Sequence, residues 1–368
     1  MVLPALPDAP AATGGVTPPP GRHLLVLPDG VAPDEVEVLA ASRFPSARWE
    51  RPPRIPSGRR ASGAARGPAP QATPGVLRVG RLSTLTGPYA VEPEQVARWG
   101  LPTDSEVAWV VDCPRERAEQ PPFGGDRDGL RRAFGTSGPV REEGRVVQWL
   151  VAAARRLGGA VRVESGIVLE PDMDAALDLT VLTDRWVEPR TVLAAARRVE
   201  PRARLEGDPV GAPDAAPDAA GPALAGAALA AREEAGVGIA DVAERRRLHA
   251  EADAFDAHMR AHPPASEAFG VQIDLGVDGI VVVEVAAELD VPVVLAALDW
   301  AQGEVVAYRV RWEAPDVEQL ESERPSLPHR VARGRAARVV RGVAREVHAE
   351  VGGEIADMAG FLVDPGDL

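Results

Sequence analysis

Two stretches of the chain share one layout. Residues 24–50 read LLVLPDGVAPDEVEVLAASRFPSARWE, and residues 179–206 read LTVLTDRWVEPRTVLAAARRVEPRARLE. Each passes from an apolar run through Asp29 or Asp184 to a proline, a helical segment, a second proline, and then Ala-Arg-(Trp/Leu)-Glu. Pro33 and Pro45 stand 12 residues apart, as do Pro189 and Pro201. A proline at the first helical position loses no hydrogen bond, and one just past the end stops the helix, so each pair brackets a helix between two strands. A chain that repeats such a unit must bury the same kind of helix face twice.

The order of elements repeats beyond these segments. After each unit comes a Pro/Gly/Ala-rich stretch, 51–75 in the first half and 207–222 in the second, with few patterned apolar residues. The first contains no acid and the second no base, so the pair reads as one basic and one acidic flexible linker. Runs with strand patterning follow: VLRVGRL and VAWVVDC in one half, GVQIDLG, IVVVEVAAE and VVAYRVRWE in the other. Each half closes with a long Arg-Val-Val helix that stops at Gly158-Gly159 or Gly352-Gly353. The sequence therefore predicts an α+β protein of two related β-α-β-β-β-α modules, an internal duplication with mainly antiparallel sheets and helices on one face. The modules fall at 21–165 and 166–368, behind a disordered N-terminus at 1–20.

Composition narrows the chemistry. There is no lysine and no asparagine among the 368 residues, which points to the drift of a GC-rich, bacterial type of genome. No phosphate-loop lysine and no Schiff-base lysine is then possible. The single cysteine, Cys113, supplies neither an internal disulfide nor a multi-thiolate metal site. A net charge of -14 opposes binding to nucleic acid or to anionic membranes. Residues 1–15 show no basic region followed by an unbroken apolar run, and the most apolar stretch, 279–300, is interrupted by charges and Pro292, so a cytoplasmic location is expected. No cofactor is expected. The partners in view are a protein or a small-molecule ligand.

Four groups of residues are candidates for a site. PPFGGDRDGLRRAFG, residues 121–135, has a G-x-x-x-x-G spacing without the Lys-[Ser/Thr] that would hold phosphate and magnesium, and a D-x-D-G start without the later oxygen ligands of a calcium loop. It reads as a turn built on Asp and Gly, or alternatively as an anion or metal site using Asp126, Arg127 and Asp128 as catalytic candidates, with Arg131 and Arg132 as ligand contacts. Cys113 has Arg115 and Arg117 close by but no histidine nearby in sequence to act as its base, so it reads as a structural thiol. Glu251, His258 and His262 fall within about 60° of one another on a helix and could approach a metal, although the dipole at a helix end favours His262 without one. Arg338, Arg341, Arg345 and His348 make a polar stripe beside a ridge of Val339, Val343, Val347, Val351 and Ile355, which reads as a solvated face neutralised by Glu346 and Glu350 or as a contact for an acidic partner. With no complete nucleophile–base or metal pattern, the expectation is a non-enzymatic protein that binds a ligand or partner through the loops in which its halves differ. The alternative is a hydrolase- or transferase-like enzyme built on residues 121–135 in a cleft between the modules.

Overall fold

The structure, a computed structural model, describes residues 3–7, 21–55, 72–120, 125–207, 247 and 268–368. The first half runs β1 (Gly21–Leu27), α1 (Pro33–Arg43), β2 (Arg48–Arg51), β3 (Gly75–Arg78), β4 (Thr84–Ala90), α2 (Pro93–Trp99) and β5 (Val107–Cys113). It continues with β6 (Arg117–Glu119), α3 (Leu130–Phe134), β7 (Ser137–Pro139), α4 (Arg141–Leu157), β8 (Ala160–Arg162) and β9 (Val168–Leu169). The second half runs β10 (Leu179–Thr183), α5 (Pro189–Val199), β11 (Arg204–Leu205), β12 (Ala268–Asp274), β13 (Ile280–Glu288) and β14 (Val305–Glu313). It closes with α6 (Val317–Leu320), α7 (Leu327–Val351), β15 (Glu354–Asp357) and β16 (Leu362–Val363).

Two seven-stranded sheets result, ordered β2-β3-β4-β5-β1-β8-β9 and β11-β12-β13-β14-β10-β15-β16. Replacing each strand of the first by its counterpart in the second reproduces the order, so the repeat read in the sequence is a repeat of topology. Within each, the first strand lies between two antiparallel neighbours, β1 between β5 and β8, β10 between β14 and β15. Apart from Leu205 of β11 and Ala268 and Phe269 of β12, both sheets belong to one compact unit, residues 1–204 with 270–368; residues 205–269 are assigned to a second.

Alternation along β1 explains the layering, because successive side chains of a strand point to opposite faces. Leu25 and Leu27 pack with Val36, Leu39 and Ala40 of α1 and with Val146, Trp149 and Leu150 of α4. Val26 faces the other way, with Leu6, Val91, Leu101 and the partly buried Trp99 of α2. The expectation of helices on one face holds for α1 and α4; α2 covers part of the opposite face. In the second half Val192 and Ala195 of α5 are buried as Val36 and Leu39 are in the first. The ridge of α7 is Val340, Val343, Val347 and Val351 rather than one through Val339, which is only partly buried, and Ile355 lies beyond the helix in β15.

Gly159 and Gly353 show why each long helix stops at a glycine pair. A Cβ on Gly159 would meet the carbonyl oxygen of Val26 at 2.2 Å, and one on Gly353 the carbonyl oxygen of Leu182 at 2.0 Å. Only glycine lets the returning chain come this close to the central strand. The two contacts also align Val26 with Leu182, and hence β1 with β10 residue by residue.

Both described ends of the segment read as a basic linker are paired into the sheet or beside it. Arg51 ends β2, Arg54 and Thr73 bridge each other, and Gly75 begins β3, because backbone groups next to a sheet are best satisfied by continuing its ladder. Residues 56–71, the N-terminal segment 8–20 and the acidic stretch 208–222 lie outside the described residues. No helix among the described residues is long and apolar enough to cross a membrane.

The halves touch through asymmetric elements. The turn between β15 and β16 inserts Phe361, 2% exposed, and Ala359 into the core of the first half. Asp126 donates its backbone N–H to the carbonyl oxygen of Glu321 (2.9 Å), and Arg132 pairs with Glu323 (2.7 Å).

Candidate functional site

The two aspartates of the 125–135 stretch have separate jobs. The carboxylate of Asp126 accepts the backbone N–H groups of Arg131 (2.8 Å) and Arg132 (3.2 Å), so it satisfies donors at the start of α3, where no earlier turn of helix can do so. Its carbonyl oxygen also accepts the N–H of Gly129, which sits at φ 72°, a left-handed conformation that suits glycine. Asp126 is thus a turn residue, as the simpler reading of the sequence has it. Asp128 points elsewhere, pairing with Arg155 of α4 and, more loosely at 3.6 Å, with Arg127. Of the remaining ligand candidates of this stretch, Arg132 reaches Glu323 of the second half and the carbonyl oxygen of Val168, and Arg131 lies beside it on α3.

Arg127, Asp128 and Arg155 line a cavity of about 270 Å³ with Arg43 of α1. Trp149 and Val151 of α4 and Phe361 from the β15–β16 turn supply its apolar wall. Three arginines and one carboxylate therefore line it. The Nε atoms of Arg127 and Arg155 are buried without an acceptor, and Arg43 makes no ion pair among the described residues. Burying cationic groups with too few acceptors costs free energy that an added anion would offset. The cavity's charge is the reverse of the chain's. Among the described residues no histidine and no second carboxylate lines it, so they do not supply there the pair of titratable groups that acid–base or nucleophilic chemistry needs.

A second polar cluster lies in the first half's core. His23 of β1, Cys113 at the end of β5 and Glu143 of α4 are all buried, and one nitrogen, the sulfur and one carboxylate oxygen lie within 4.8 Å of one another. Tertiary structure thus brings to Cys113 the histidine that its neighbourhood in sequence lacks. The surroundings nonetheless close the cluster to chemistry. His23 Nδ1 accepts the backbone N–H of Glu164 at 3.3 Å, so in the neutral ring the proton sits on Nε2, which faces Glu143 Oε1 at 3.5 Å. No lone pair is left to take a proton from the thiol or to bind a metal. Glu143 is held by Arg117 in a fork, Nε to Oε2 at 2.8 Å and Nη2 to Oε1 at 2.6 Å, and accepts the backbone N–H of Glu116 at 2.8 Å. Burial alone would raise its pKa; His23, the Arg117 fork and the Glu116 N–H together outweigh burial and hold it below the ordinary value. Burial, reinforced by the Glu143 and Glu164 carboxylates, pushes the Cys113 thiol up to about 12. Phe134 closes the side, with the Arg117 guanidinium 4.4 Å from its ring centre.

Among the described residues the second half has no equivalent cluster. Alignment through Gly159 and Gly353 places Leu179, Trp312 and Ala337 where the first half has His23, Cys113 and Glu143, and all three are buried. The fold accepts an apolar core at these positions, so the polar cluster is an elaboration of one half. Its trace in the sequence is a phase: His23 stands two residues before Leu25 on the inward face of β1, and Glu143 three before Val146 on the buried face of α4. Polar residues at core positions stand out only once the buried face is known.

The other candidates fall apart or lie elsewhere. Arg338 and Arg341 are exposed on α7, while Arg345 donates to the carbonyl oxygen of Leu368 (2.7 Å) and His348 lies 3.1 Å from that of Gly353. Glu346 and Glu350, expected to neutralise this stripe, instead both hold Arg198 of α5, which the packing of α5 on α7 brings over them. Glu251, His258 and His262 lie outside the described residues. Comparison of the chain with family models, with characterised proteins and with solved structures gives no match.

Proposed function

We propose that this is a non-enzymatic binding protein that holds an anionic ligand in the cavity between α1, α4, the 125–130 turn and the β15–β16 turn. The observation that carries the reading is the imbalance of charge there: Arg43, Arg127 and Arg155 against Asp128 alone, in a chain of net charge -14. The site falls where the sequence of the two halves differs most. An arginine fork presents parallel donors that match a carboxylate or phosphate, and the apolar wall would exclude water from the contact. The alternative, an enzyme built on Asp126, Arg127 and Asp128, loses support because Asp126 is consumed by backbone donors and, among the described residues, no histidine or second carboxylate lines the cavity beside Asp128.

A ligand that binds only the folded state raises the melting temperature. Thermal melts of the full chain with glutarate or inorganic phosphate test the reading, with Arg43→Glu as the variant, since Arg43 is exposed and makes no ion pair among the described residues. Stabilisation that the variant abolishes supports the site. If no anion stabilises the wild type, or if Arg43→Glu is stabilised as well as the wild type, the reading fails.

A further inference from the structure

The cavity does not end at Gln148. On its far side the same exposed face of α4 continues into a more open depression lined by Arg141, Gly144, Arg145 and Gln148, so that Gln148 belongs to both. Arg141 and Arg145 are exposed, and neither makes an ion pair among the described residues. The neighbouring acids are engaged elsewhere: Glu142 accepts from Leu82 N–H and Ser83, and Glu143 is held by Arg117. A strip of one α-helix thus carries Arg141, Arg145, Gln148 and Arg155, flanked by Arg43 and Arg127, with Asp128 the one carboxylate among the described residues of either wall.

We infer that the ligand is an extended acidic peptide lying along α4, one end in the Arg43–Arg127–Arg155 cavity and the other between Arg141 and Arg145. This rests on the anion-binding reading above and goes beyond it in length and class. The ten steps from Arg145 to Arg155 rise about 15 Å along a helix, a span that an extended peptide crosses in about five residues. The exposed amide of Gln148, midway, can donate to and accept from a peptide backbone at once. A nucleic acid strand fits less well. Trp149, the aromatic residue of α4 at the cavity, is 2% exposed and offers no ring face for base stacking, and the chain's net charge of -14 repels a polyphosphate as a whole.

The experiment uses the full chain, a fluorescently labelled hexaglutamate peptide, a labelled single-stranded oligonucleotide and unlabelled glutarate. Anisotropy reads the two polymers and thermal melts read glutarate. The expected result is that hexaglutamate binds more tightly than glutarate, and that the double variant R141E/R145E weakens hexaglutamate by about tenfold or more while glutarate stabilises it as it does the wild type. Arg43→Glu should weaken both. If glutarate stabilises in an Arg43-dependent way but hexaglutamate is indifferent to R141E/R145E, the ligand is confined to the cavity; the inference is then overturned and the binding reading survives. Oligonucleotide binding tighter than peptide binding overturns the class of ligand. If no anion binds in an Arg43-dependent way, both readings fall. A melt of each variant alone, unchanged from the wild type, establishes that the substitutions leave the fold intact.

Discussion

Replacing Glu143 by Gln keeps the shape of the side chain and one acceptor oxygen but removes the charge held by Arg117. Three losses follow. Arg117, only 15% exposed, keeps Glu164 at 2.7 Å but loses both charge-assisted bonds of the fork. The Glu116 N–H faces an amide group in place of a carboxylate oxygen, and the His23 Nε2 proton loses the negative charge before it. Removing one partner of a buried ion pair costs about 3–5 kcal/mol, and Glu164 offsets part of this, so Glu143→Gln should cost roughly 2–3 kcal/mol. At about 2–4 °C per kcal/mol for a domain of this class, the melting temperature should fall by about 5–10 °C at pH 7. The pH dependence gives a sharper signature. Because the folded pKa of Glu143 lies below its ordinary 4.5, its stabilisation is complete above that value and is lost as pH falls through the folded one. The gap between wild type and variant should therefore stay constant from about pH 8 to pH 5 and shrink below about 4.5. Urea titrations followed by circular dichroism at a series of pH values measure it directly. A variant melting within about 1 °C of the wild type at pH 7, or a gap that persists undiminished into strong acid, would refute the account of the cluster.

Two further outcomes follow from the same packing. With its thiol pushed up to about 12 and its side chain buried, Cys113 should resist alkylation by iodoacetamide at pH 8 in the native protein and react fully in denaturant; mass spectrometry showing rapid native modification would mean that the cluster opens to solvent. Phe361→Ala should destabilise the chain by about 3–5 kcal/mol, because this residue of the second half completes the core beneath α1 and α4; a urea midpoint unchanged from the wild type would show that the β15–β16 turn does not hold the halves together.

The repeat could be read in advance because its signals are local. Proline spacing, a glycine pair after a periodic helix and the alternation of Val and Leu each act through backbone sterics or side-chain phase within a few residues. They located α1 and α5 with hardly an error, and the faces that these helices bury include Val36, Leu39, Val192 and Ala195. They missed β4, since TLTGPYA carries Gly87 and Pro88 in its middle, and proline inside a strand argues against one. They missed β8–β9 and β15–β16 as well, hairpins of two to four residues a strand that are stable only because β1 and β10 offer them a paired edge.

The chemistry was less legible. Asp128 could be named as a candidate, but Arg43 and Arg155 join it from 85 residues before and 27 after, placed there by the packing of α1 and α4 on one face of a sheet. His23, Cys113 and Glu143 meet for the same reason, since antiparallel pairing sets the start of β1 beside the end of β5. The sequence by itself determined what its locally marked segments do: that α1, α4, α5 and α7 form, where they stop, and that the pattern occurs twice. Only the tertiary structure decided which charges confront one another, because a guanidinium's worth depends on the acceptors within a few ångströms of it, and those are chosen by how distant segments pack.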